Sequence, residues 1–162
     1  MTTKNIALVV IVILGIALRV SAVQEETVPY PTGYRQWAHV KSTLVGPESQ
    51  AFKTNGGLHH FYANEKALEG YRTGKFPDGS VLIDDLLDTQ AGKAQGTTIE
   101  GTRKRLAVMV KDEKRYASTG GWGFEVFKAD TQTGSLASAG RTACFDCHQT
   151  AGADLVFSEF RK

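Results

Sequence analysis

Residues 142–150 read TACFDCHQT and hold both cysteines of the 162-residue chain, Cys144 and Cys147, with His148 directly after them. Cys-x-x-Cys-His is the attachment pattern of c-type haem, in which two thiols add to the haem vinyl groups and the adjacent imidazole ligates the iron. One helical turn carries both sulfurs to neighbouring edges of the macrocycle and aims His148 at the metal from the same side. A redox dithiol shares the cysteine spacing but belongs near the start of a βαβ unit, whereas this motif sits late in a β-rich chain. A structural zinc site needs four ligands, so two of His39, His59, His60 and His148 would have to join the cysteines, and no histidine pair has finger-like spacing. The pattern therefore favours covalent haem c with His148 as the proximal metal ligand.

What lies on the other side of the iron decides the chemistry. An electron-transfer cytochrome supplies a methionine or histidine there. Beyond the initiator, Met109 is the only methionine. It shares strand parity with Arg105, Ala107 and Lys111, the more polar face, and is expected at a surface or edge. His59 and His60 must point to opposite faces of a strand, so one of them is able to face the haem. The inventory leans towards a five-coordinate iron open to a small ligand.

The elements that position these groups begin after an expected leader. Lys4, the apolar run from Ile6 to Leu18 and the small-residue exit Val20-Ser21-Ala22 read as a secretory signal peptide over residues 1–22. The run is shorter than the roughly 20 apolar residues that span a bilayer. This implies a periplasmic protein, residues 23–162, without a membrane anchor. Lys4 and Arg19 are the only charges before the cut, so 17 cations face 17 anions after it, and they are interleaved. That balance argues against nucleic acid or anionic lipid as partner.

Strands are expected at Trp37 to Val45, Leu58 to Ala63, Ser80 to Asp88, Arg105 to Lys111 and Trp122 to Val126, from β-branched content and alternation. Asn64 caps a short helix, EKALEGYRT, that Gly74 closes. Thr89 to Thr98 reads as loop, KDEKRYAS as one or two helical turns, and the chain turns helical from Arg141 through the cysteines. With no βαβ alternation, the fold class is α+β: a single domain with a mainly antiparallel sheet and a few short flanking helices.

Together with the haem motif, YRQWAHV, YANEKALEGYRTGKFPDGSV, VKDEKRYASTGGWGFEVF and TACFDCHQTAGADLVFSEF resemble the cytochrome P-460 and cytochrome c′-beta family, from about Tyr34 to Phe160. The resemblance implies a largely antiparallel β fold, a homodimer and a haem with a vacant distal position. The helical cytochrome c′ also carries its motif late, but strand alternation and 17 glycines argue against a four-helix bundle. Within the family, cytochrome P-460 enzymes bond a lysine to the haem and oxidise hydroxylamine, and cytochrome c′-beta proteins lack the bond and bind nitric oxide. The resemblance places the linking lysine just before Thr73-Gly74-Lys75-Phe76, where Arg72 stands. A guanidinium stays protonated and is a poor nucleophile. Phe76 and Phe52 match in style the aromatic residues that wall the distal pocket of cytochrome c′-beta. On this reading Arg72, Phe76 and Phe52 join Cys144, Cys147 and His148 as haem-contacting residues. The implied function is binding of a small gas such as nitric oxide. Hydroxylamine oxidation is the first alternative, and electron transfer with a redox partner protein the second.

Overall fold

The structure is a computed structural model and describes residues 27–161, so the expected leader lies outside the described residues. Five strands, β1 (Ala38–Val45), β2 (Gly57–Ala63), β3 (Val81–Ala91), β4 (Thr98–Lys111) and β5 (Trp122–Lys128), form one antiparallel sheet in chain order. Three short helices flank it: α1 (Phe52–Asn55), α2 (Glu65–Thr73) and α3 (Ser138–His148). The expected α+β architecture is present, and the molecule is no helical bundle.

Both faces of the sheet are covered. On one, Ile83, Leu106, Val108 and Phe127 pack with Val28, Tyr34 and Tyr116, so the segment before β1 closes this side. On the other, Leu82, Trp122 and Phe124 pack with Ala67 and Phe76, beneath α2 and alongside α3. Double coverage explains why the polar parity of β4 is not a solvent face. Lys111 is only 3% exposed, and Met109 lies opposite Phe124 in the second core. The expectation of Met109 at a surface or edge is corrected accordingly: its polar neighbours are paired inside rather than solvated.

Local chemistry sets the element ends. The Asn64 side chain accepts from the Ala67 amide at 3.0 Å to start α2, and Gly74 closes it in the left-handed conformation, φ 79°. The same Asn64 oxygen also accepts from Val81 and its amide donates to Gly79, so one side chain ties α2 to the start of β3. Of the stretch expected as loop over Thr89 to Thr98, residues 92–97 form the connecting turn, but its ends continue the β3–β4 ladder, with Thr89 opposite Glu100 and Ala91 opposite Thr98. Its polar sequence carries no apolar alternation because this hairpin arm is exposed on both sides.

Candidate functional site

Helix α3 carries Cys144, Cys147 and His148 at positions i, i+3 and i+4, which share one helical face. The helix packs on β5, and between it and the sheet lies a cavity of about 1120 Å³. Cys144, Cys147 and His148 line one side. Lys41, His59, Phe61, Asp84, Arg105 and Met109 line the sheet side. Cross-strand register brings those sheet residues together. Lys41 pairs with Phe61, Phe61 with Asp84, Asp84 with Ala107, and Leu86 with Arg105, so a single face runs through four strands.

His148 is fixed as a ligand is fixed. Its Nδ1 lies 2.8 Å from the Leu155 carbonyl, which can only accept, so Nδ1 carries a proton and Nε2 is the ring nitrogen left over for a ligand. The ring sits between Phe124 and Phe157, with centroids 5.2 and 5.0 Å away. Both cysteines are free thiols. Burial, and secondarily the neighbouring Cys147, pushes the Cys144 thiol above its usual range. That is the reverse of the lowered value on which a redox dithiol depends, and the cysteines lie in the C-terminal half of α3, away from the helix end that stabilises thiolates.

A polar cluster occupies the sheet side. His59 places Nδ1 2.8 Å from Asp84 Oδ1 and Nε2 2.8 Å from the Asn55 carbonyl. Both partners are acceptors, so the protonated ring satisfies both contacts at once. Burial works against that charge, but the hydrogen bond and charge of Asp84, with the Asn55 carbonyl, outweigh it and raise the His59 pKa above 6.5. Arg105 donates to the Thr54 carbonyl at 3.1 Å and to Asn55 Oδ1 at 2.9 Å, and stands 3.7 Å from Asp84. Carbonyls left unsatisfied by the short α1 are thus taken up by the two cations, which pin that turn against the cavity.

The cytochrome P460 family model matches residues 31–158, four fifths of the chain and all of the elements above. The chain belongs to the cytochrome P460 family. A comparison with curated proteins finds no significant match. Cytochrome P460 membership implies a haem cofactor, and the cavity suits one. Its volume slightly exceeds the roughly 300–1,000 Å³ of ordinary ligand pockets. A histidine with a free Nε2 and two free thiols stand on one wall, apolar residues dominate the rest, and Lys41 and Arg105 offer positive charge for carboxylates. Bound there, the group would supply a redox-active iron.

The other residues expected at the cytochrome P460 site are placed elsewhere. Arg72 is exposed on α2 and does not line the cavity. Phe76 is buried against Tyr71 and Trp122, with ring centroids at 5.1 and 5.5 Å, because the turn after α2 folds it under the helix. Phe52, 42% exposed, covers Gly56 at the outer side of α1. His39 and His60 face the reverse of the sheet, linked through the Ser42 hydroxyl at 2.9 and 2.8 Å. The cavity instead gathers His59, Asp84, Arg105, Lys41 and Phe61. A legible signal existed for one of these: two consecutive acids, Asp84 and Asp85, in the middle of an apolar strand require buried partners.

Proposed function

We propose that this cytochrome P460 family member is an exported, periplasmic c-type haem protein that binds nitric oxide. Cys144 and Cys147 hold the haem covalently, His148 is the proximal ligand through Nε2, and the opposite position stays open. The observation that carries this reading is the His148–Leu155 hydrogen bond, which leaves one nitrogen facing the cavity beside both thiols.

The other candidate ligands support an open position. Both nitrogens of His59 are engaged, and His39 and His60 lie behind the sheet. Met109 stands on the sheet wall, paired across the ladder with Phe124, the ring against His148. A ligand that accumulates negative charge needs a hydrogen-bond donor, and both His59 nitrogens are already committed to Asp84 and Asn55, while Arg105 is held by Thr54 and Asn55. Nitric oxide needs no such donor. Expression with a c-type haem maturation system should yield haem that stays attached on denaturation and a five-coordinate ferrous spectrum that titrates with nitric oxide. His148→Ala should abolish that spectrum. A low-spin, six-coordinate ferrous spectrum without added ligand would sink the proposal.

Hydroxylamine oxidation is the second reading, and Lys41 favours it. Lys41 is the lysine on the cavity wall among the described residues, so a lysine–haem bond, if formed, falls there rather than near residue 72. The His59–Asp84 pair adds proton-holding groups on the same wall. This reading expects a red-shifted Soret band that survives denaturation, together with turnover of hydroxylamine, both lost in Lys41→Arg.

A further inference from the structure

We propose that Lys111, Asp154 and Trp122 form a buried brace that sets how firmly the Leu155 carbonyl holds His148, and thereby how strongly His148 donates to iron. The inference rests on His148 being the proximal ligand. The Leu155 carbonyl lies seven residues beyond His148, so the chain must double back after α3 to present it. It does so through two successive non-glycine residues in the left-handed region, Asp154 at φ 51° and Leu155 at φ 65°. Aspartate tolerates that region through its short polar side chain, but leucine has no local means of doing so. The conformation must be held from outside.

Asp154 shows how. Its Oδ1 accepts from Lys111 Nζ at 2.7 Å, its Oδ2 from the Phe76 amide at 2.8 Å, and its carbonyl from Trp122 Nε1 at 2.9 Å. Lys111, at the end of β4, is buried, donates also to the Gly120 carbonyl at 3.3 Å, and lies 5.1 Å from the Trp122 ring centroid. Trp122, at the start of β5, is fully buried. Three parts of the core therefore converge on the residue immediately before the carbonyl that grips His148. None of the three brace residues lines the cavity, so they are positioning residues, acting on iron only through the imidazole. A buried ion pair can often be replaced by neutral groups of similar size without loss of stability. The charges of Lys111 and Asp154 are accounted for by the conformation they impose. A firmer Nδ1–H···O bond gives the ring more imidazolate character and makes Nε2 a stronger donor.

The test uses haem-loaded protein with Lys111→Met, Asp154→Asn and the double variant. The double variant leaves no buried charge unpaired and so keeps the experiment sound if a single variant folds poorly. Resonance Raman spectra of the ferrous form report the iron–histidine stretch, and redox titration reports the midpoint potential. The brace predicts a lower stretching frequency and a higher potential in each folded variant, with haem still attached and the melting temperature of the double variant near that of the parent. A folded double variant with frequency and potential unchanged would overturn the brace. Absence of any iron–histidine band in the parent protein would instead overturn the assignment of His148, and the brace with it.

Discussion

His59 and His148 share one cavity and are held there in different ways. His148 gives up one nitrogen to a carbonyl and leaves the other over, whereas His59 is hydrogen-bonded through both nitrogens. Because the folded pKa of His59 is raised, its contribution to stability is complete below the unfolded value near 6.5 and is lost as pH rises through the folded value. His59→Gln should therefore destabilise the protein by about 1–3 kcal/mol at pH 6. The difference should shrink on the alkaline side, as measured by urea unfolding at a series of pH values. At this scale the grouping of Cys144, Cys147 and His148 was legible because spacing along one helix sets which side chains share a face. Strand alternation showed that one of His59 and His60 faces this side, but the meeting of His59 with Asp84 and Arg105 was not legible, because it depends on register across three strands. Arg72 and Phe76 pointed elsewhere because nearness to a motif in sequence does not say which way a helix or turn faces.

Helix α2 is the element that its sequence describes most fully, down to the Asn64 cap and the Gly74 stop. Removing the cap should cost more than usual, since Asn64 also joins Gly79 and Val81. Asn64→Ala is expected to lose at least the upper end of the about 0.5–2 kcal/mol typical of cap removal, read from the urea midpoint. Gly70 has a different constraint: a Cβ there would overlap the ring of Phe76. Gly70→Ala should lower stability by about 1–3 kcal/mol despite the better helix propensity of alanine, with Phe76→Leu partly restoring it. The β3–β4 arm and α1 were the elements missed, and for one reason. Neither buries a regular apolar stripe: the arm is exposed on both sides, and α1 is held by cations gripping its last carbonyls.

Across the whole molecule, β3 separates two cores with adjacent acids facing opposite ways. Asp84 serves the cavity. Asp85, fully buried behind the sheet, accepts from Tyr34, Arg35 and Arg103. Burial opposes its charge, but Arg103, then Tyr34 and Arg35, hold its pKa below the usual aspartate range. Its stabilisation is thus present above the unfolded pKa and is lost as pH falls through the folded one. Asp85→Asn should cost about 3–5 kcal/mol at neutral pH by leaving Arg103 without its buried counter-charge. It should also flatten the acid limb of the stability profile below about pH 4, the unfolded range for aspartate. Chain order adds a temporal consequence. Each strand pairs only with its sequence neighbours, and every strand that walls the cavity precedes α3. Such a meander is able to assemble from successive local hairpins as the chain emerges. Helix α3 follows all five strands, and the loop carrying Leu155 follows α3, so the cavity can form before Cys144, Cys147 and His148 reach its wall and before the Leu155 carbonyl orients the imidazole.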